Sequence, residues 1–268
     1  MTEGALIYDV GMNDGRDSAF YLHRGCRVIA IEANPLLCDK ARQEFSKEIA
    51  SGQMTLLNVA VSQEDGERDF YLNLDNDEWS SLDAEWGTRE NTRFEKIRVR
   101  SAAFRKILAQ YGTPNYLKVD VEGADLMVLN ELRTAPGEKP KYISVEEHEI
   151  DYFPLLWALG YRGFKFVNQE DVPSFSSKDW QFKRGATGPF GDEVPGQWMP
   201  FGDAVLDYML NIRDCRDRVL FSKGWFDIHA TLDTPAVQKD QPYPKRREVA
   251  FRTKVRSKAR QWKRRLLS

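Results

Sequence analysis

The feature that most constrains this chain is a pair of short apolar runs, each ending in an acid, joined through a glycine-bearing turn. Ala5-Leu6-Ile7-Tyr8 leads into Asp9-Val10-Gly11-Met12-Asn13-Asp14-Gly15, and Val28-Ile29-Ala30-Ile31 ends in Glu32. Such runs predict adjacent parallel strands of an α/β sheet whose carboxyl ends hold a nucleotide-type ligand. Glycines in the turn let the backbone approach that ligand, and an acid after the second strand accepts hydrogen bonds from ribose hydroxyls. The turn reads GxxxG rather than GxGxxG, and Asp9 and Asp14 stand where a pyrophosphate would have to sit. Acids there suit a ligand with a cationic amino-acid end, and S-adenosylmethionine is such a ligand.

The same alternation continues for two thirds of the chain. Strands are predicted over residues 5–10, 27–32, 54–61, 115–121, 141–146 and 161–167. Helices are predicted over 16–24, 35–50, 102–111, 123–132 and 152–159. Residues 69–74 and 97–99 read as strands flanking a polar loop, 201–214 as a helix, and 226–232 as a last strand. Strands alternating with helices imply a mostly parallel sheet covered on both faces, with right-handed crossovers that bring the strand carboxyl ends to one rim. Residues 168–200 break this rhythm with clustered glycine and proline among Phe175, Trp180, Phe182, Phe190 and Trp198. A stretch of that length and composition is expected to be a packed functional loop.

Composition bounds the rest. Hydrophobic residues at 41% with charged residues at 30% suit a soluble chain with a proper core. No apolar run approaches the roughly 20 residues that span a bilayer. Met1-Thr2-Glu3-Gly4 carries no basic leader, so a cytoplasmic location is expected. Cys26, Cys38 and Cys215 are too scattered for a disulfide framework or a zinc site. Residues 245–268 hold eleven basic side chains and one acid, against 28 basic and 40 acidic in the remainder, a net +10 beside −12. The expected division is a domain over 1–235, containing the 168–200 insertion, and a basic tail over 236–268.

Five segments occur in a telling order: Asp9-Val10-Gly11-Met12-Asn13-Asp14-Gly15, then Ile31-Glu32-Ala33-Asn34-Pro35, then Asn58-Val59-Ala60-Val61-Ser62 with Asp65-Gly66 behind it. Ser80-Ser81-Leu82 and Tyr116-Leu117-Lys118-Val119-Asp120-Val121-Glu122-Gly123-Ala124 complete the set. Together they resemble the FkbM-type family of S-adenosylmethionine-dependent methyltransferases over roughly residues 5 to 165. The resemblance implies the class I methyltransferase fold, a Rossmann-like three-layer α/β/α sandwich with a seven-stranded sheet and an antiparallel last strand. It also implies S-adenosylmethionine as cofactor and O-methylation of hydroxyls on sugars, glycoconjugates or natural products. Asp125 departs from the glutamate commonest in the family. A non-catalytic Rossmann-like binding module and an NAD-dependent oxidoreductase are the alternatives.

Asp9, Gly11, Asn13 and Gly15 are the candidate cofactor turn, Glu32 the ribose acceptor, and Val61 a backbone contact for adenine. Glu32 could instead cap the helix beginning at Pro35, but Asn34 competes for that role. Lys118, Asp120 and Glu122 alternate with apolar residues, which a central parallel strand does not tolerate, so Asp120 and Glu122 are expected at or beyond the strand's end. Lys118 is expected to pair with one of them. His148, after the fifth strand, is the first candidate for the general base that a hydroxyl acceptor requires, with Asp120 orienting it or the acceptor. His229 is a second base candidate. A divalent metal such as Mg²⁺, held by Asp120 with Glu146 or Glu147, is the competing reading. The aromatic loop with Asp192 and Gln197 is the expected acceptor pocket. In the tail, Phe251, Val255, Ala259, Trp262 and Leu266 recur at helical spacing amid Arg and Lys, which suits peripheral contact with an anionic membrane. The acidic body argues against nucleic acid as a partner.

Overall fold

The computed structural model describes residues 4–235 apart from 215, 217, 222 and 223; the basic tail and its expected helix lie outside the described residues. The first half of the chain runs β1 (Leu6–Val10), α1 (Arg16–His23), β2 (Arg27–Glu32), α2 (Pro35–Glu44), α3 (Ser46–Ser51), β3 (Met54–Asn58), β4 (Ala60–Ser62), β5 (Gly66–Asn73), α4 (Ala84–Gly87), β6 (Phe94–Ala103) and α5 (Phe104–Tyr111). The second runs β7 (Tyr116–Val119), α6 (Asp125–Thr134), β8 (Tyr142–Glu146), α7 (Tyr152–Ala158), β9 (Gly163–Asn168), β10 (Met199–Pro200), α8 (Phe201–Asn211) and β11 (Phe226–Thr231).

The main sheet has the order β10-β9-β11-β8-β7-β1-β2-β3. Strands β3, β2, β1, β7 and β8 are parallel neighbours, and β11 is inserted between β8 and β9, antiparallel to both. This is the class I methyltransferase fold, with β10 added as a two-residue edge. Chain order reverses between β1 and β7, because β2 lies on one side of β1 and β7 on the other. That reversal opens a crevice above the strand ends, where ligands bind in open α/β sheets.

The two faces of the sheet differ in chemistry. Val10, Ile31, Leu117, Val119, Ile143, Val145, Ile228 and Ala230 belong to one apolar core with residues of α5, α6, α7 and α8, including Ile107, Leu129, Phe153 and Tyr208. On the other face, Ile7, Val28, Ala30, Tyr116 and Tyr142 pack with Phe20 and Tyr21 of α1 and with the 168–200 segment. That face carries a polar row through the sheet: Asp9, Lys118, Ser144, His229 and Lys165 are cross-strand partners in register. All five are buried.

Several expected elements differ in extent. The helix expected over 35–50 breaks at Phe45, which swings its ring under the β1–α1 turn. The strand expected over 54–61 divides at Val59, where β4 leaves the main sheet and joins β6 and β5 in a second, three-stranded sheet. Strands β5 and β6 pair antiparallel from Gly66 to Ser101, longer than the expected segments. Strand β7 ends at Val119, leaving Asp120 and Glu122 in the loop beyond it as their polarity required.

Candidate active site

The β1–α1 turn is folded onto the end of β2: the Gly11 and Met12 N–H groups donate to the Ile31 carbonyl at 3.0 and 3.1 Å. Gly11 has φ +81°, and a Cβ there would lie 1.7 Å from the Asp120 carbonyl oxygen, so β1 and β7 approach only because this residue is glycine. Glu32 receives the Asn13 N–H on Oε2 (2.9 Å) and the Asn34 N–H on Oε1 (2.7 Å). The Asn34 side chain caps α2 by accepting from Leu36 N–H, which leaves Glu32 free of that task. Burial pushes the Glu32 carboxyl up to about 7, against the pull of those two backbone donors.

Gly11, Asn13, Glu32, Val61, Asp120 and Glu122 line one solvent-open cleft. Its apolar wall comes from Ile31, Ala33, Ala60, Phe70 and Leu82, and its acidic edge is extended by Asp77 and Glu78. A cleft lined by both apolar side chains and carboxylates suits a nucleoside with a polar substituent. Asp9 and Gly15 support this cleft from behind. Asp9 is fully buried, accepts the Ser18 hydroxyl (2.7 Å), and lies 3.2 Å from the Lys118 ammonium. Gly15 clears the Phe45 ring, which would stand 2.6 Å from a Cβ.

Lys118 sits among three acids, at 3.2 Å from Asp9, 3.4 Å from Asp120 and 3.9 Å from Asp17, and donates to the Gly11 carbonyl. Burial opposes its charge, yet these acids hold the ammonium well above its ordinary range. Lys118 therefore fastens the β1 turn to Asp120, as its alternation with apolar neighbours had suggested. Beyond Asp120, Glu122 adopts φ +48° and is held from outside by the segment linking β5 and β6. The Arg89 guanidinium donates to Glu122 Oε2 (2.7 Å), the Ser81 hydroxyl donates to the Glu122 carbonyl (2.7 Å), and the Trp86 ring covers Gly123. Arg89 lies over both Trp79 and Trp86. Burial, with Glu146 nearby, pushes the Glu122 carboxyl up to about 8.

His148 lies behind this edge rather than on the cleft wall. Its Nε2 is 3.3 Å from Glu146 Oε2, and its ring meets Trp86 edge-on at 4.5 Å. Burial and the Asp120 charge hold the Glu146 carboxyl well above the carboxylate range. Glu147 points elsewhere, bound by the Tyr208 hydroxyl and by Arg213 at 2.8 Å, so it has no part in a metal set with Asp120. His229 is buried in the polar row, away from the cleft lining, and burial lowers its imidazole to about 3. That position removes it as a base for chemistry in the cleft.

Known proteins share parts of this sequence and fold. The profile described as "Methyltransferase FkbM domain" matches residues 9–218. The chain belongs to the FkbM methyltransferase family. A segment of 54 residues is 35% identical to a probable ribosomal RNA small subunit methyltransferase A of Methanospirillum hungatei, covering 20% of this chain and 21% of that protein. Among solved structures, methyltransferase FkbM from Methylobacillus flagellatus matches at 14% identity and a TM-score of 0.43, over 62% of this chain and 40% of its own. A precorrin-6y C5,15-methyltransferase from Geobacter metallireducens matches at 12% identity and a TM-score of 0.39, over 86% of this chain and 81% of its own.

In this FkbM-family chain the aromatic insertion does not line the cleft, contrary to expectation. Phe190 stacks on Tyr116 at 4.3 Å, Phe182 packs on Phe20 at 4.7 Å, and Trp198 stacks on Tyr142. These rings cover the sheet face that α1 leaves open, and Asp17 anchors the loop by accepting from Thr187 and Gly188 N–H. Besides Phe70 in the cleft wall, the aromatics that pack around Arg89 and Gly123 beside the acidic edge are Trp79 and Trp86, which the sequence pattern did not mark, any more than Arg89. Ser80-Ser81-Leu82 flagged their neighbourhood, but no periodicity marks a short irregular excursion between two strands.

Proposed function

We propose that the protein is an S-adenosylmethionine-dependent methyltransferase acting on a hydroxyl of a sugar, glycoconjugate or natural product. The observation that carries the reading is the convergence of Gly11, Glu32 and Asp120 on one cleft, within a chain of the FkbM family. The site fits the cofactor on its own terms. Gly11 leaves the turn without a side chain, Glu32 keeps lone pairs for two ribose hydroxyls beyond its two backbone donors, and Ile31, Ala33, Val61 and Leu82 offer an apolar slot for adenine. When bound, S-adenosylmethionine supplies a methyl group on a cationic sulfur that departs as a neutral thioether.

An acceptor hydroxyl must lose its proton as its oxygen takes the methyl, because a neutral alcohol is a poor nucleophile. Asp120 is the carboxylate on the cleft wall, fixed at one side by Lys118, and is assigned the role of proton acceptor. His148, one layer behind with Glu146, is assigned a supporting role rather than direct contact. Trp79 and Trp86 stand beside the same edge with Arg89 over both rings, and a sugar whose apolar face met either ring would stack there. The test is calorimetry with S-adenosylhomocysteine and with NAD. Binding of the former alone is expected, and it is lost in Glu32→Ala. Binding of NAD alone would favour an oxidoreductase, and binding of neither would favour a non-catalytic module.

A further inference from the structure

We infer that Glu122, Glu146 and His148 form a binding site for a divalent first-row transition-metal ion, of the Mn²⁺ or Fe²⁺ type, behind the acidic edge of the cleft. One ligand atom from each residue lies within 4.8 Å of the others, a spacing that a single ion can bridge. The three come from two elements: Glu122 from the loop after β7, Glu146 from the end of β8, and His148 two residues beyond it.

The donor inventory around these atoms is short. His148 Nε2 is buried and makes no hydrogen bond, although Glu146 Oε2 stands 3.3 Å away. Asp125, with no exposed surface, holds Val121 N–H on Oδ1 and leaves Oδ2 without a partner; its charge acts on both His148 and Glu146. Arg89 engages Glu122 through Oε2. Buried polar atoms of a native protein are nearly always satisfied, and His148 Nε2 with Asp125 Oδ2 offers buried lone pairs that suit a cation. Four acidic side chains, Asp120, Glu122, Asp125 and Glu146, gather here against two cations, Arg89 on Glu122 and Lys118 at 3.4 Å from Asp120, so acids outnumber cations and a doubly charged ion suits the site electrostatically.

The composition selects the ion. Mg²⁺ prefers an octahedron of oxygen ligands, whereas an imidazole with two carboxylates suits Mn²⁺, Fe²⁺ or Zn²⁺. The set also differs from the one expected from sequence, since Glu122 and His148 take the places of Asp120 and Glu147. The purpose of the site, though not its existence, rests on the methyltransferase reading. An ion there would hold the Glu122 loop in place and offset the negative charge gathered beside Asp120.

The experiment is a titration of the chelator-stripped full chain with Mn²⁺, followed by calorimetry and by the loss of the free-ion electron paramagnetic resonance signal. One ion per chain is expected, at least about tenfold tighter than Mg²⁺. His148→Gln and Glu146→Gln should each weaken it about tenfold or more, while Asp39→Asn on α2 leaves it unchanged and thermal melting reports that each variant is folded. Absence of stoichiometric Mn²⁺ binding to the wild-type chain, or equal binding in wild type and in folded His148→Gln, overturns the site. S-adenosylhomocysteine binding is measured on the same stripped protein. Its loss speaks against the methyltransferase reading, and its retention without Mn²⁺ binding speaks against the metal alone.

Discussion

A methyl group added at Gly11 would fall 1.7 Å from the Asp120 carbonyl, at a φ of +81° that side chains rarely adopt. Gly11→Ala should therefore push β7 and its loop away from the turn, costing about 2 kcal/mol or more of stability and abolishing S-adenosylhomocysteine binding, both readable by melting and calorimetry. Glu32 carries a pH signature. Its folded carboxyl is raised to about 7 from an ordinary value near 4.5, so its contribution to the stability of the cofactor-free protein is full below about 4.5 and is lost as pH rises through 7. Ribose hydroxyls donate to the ionised form, so ligand affinity should move the opposite way. Affinity for S-adenosylhomocysteine should climb by up to about tenfold per pH unit between 5 and 7 and then level off, with Glu32→Gln flattening the profile. A flat wild-type profile would mean that Glu32 does not meet the ligand. Gly11, Asn13, Glu32 and Val61 were legible in the sequence because each sits beside a strand end that the local apolar pattern marks. The partners of Glu122 were not, because Arg89 is 33 residues away and reaches it only through the folded excursion between β5 and β6.

That excursion is the element that most governs the acceptor side of the cleft. It touches the β7–α6 loop at three points, through Ser81, Trp86 and Arg89, and touches α1 through Glu78, which lies 3.2 Å from Arg16. Arg89→Ala should leave the sheet intact but release Glu122, speeding S-adenosylhomocysteine dissociation about three- to tenfold in stopped-flow measurements, since the pair is only partly buried. An unchanged rate would show that the excursion does not close the cleft. The insertion over 168–200 is held by different means. Asp17 is buried and accepts two of its backbone N–H groups, so Asp17→Ala should strand both donors and lower stability by about 1–3 kcal/mol without touching the cleft wall. The strand and helix sequence was readable because period and punctuation are local. The destination of the insertion was not, because an aromatic ring fits a sheet face and a sugar equally well, and only the space left open by α1 decides between them.

At the scale of the molecule, charge is divided between an acidic body of net −12 and residues 245–268 of net +10. Among the described residues no helix is long and apolar enough to cross a membrane. Each basic residue near an anionic bilayer contributes about 1 kcal/mol. The full chain should then sediment with anionic but not neutral vesicles, and a chain ending at Tyr243 with neither; equal behaviour of the two on anionic vesicles would reject this role. The order of strands carries one more consequence. Among the described strands, β9 and its edge partner β10 are joined to β8 only through β11, which is made some 60 residues after β9. A nascent chain that has reached residue 225 thus holds two unjoined pieces, with the backbone edge of β8 open to any passing strand. A pause in synthesis between the insertion and β11 would leave that edge open to the edge-to-edge aggregation that the finished sheet prevents.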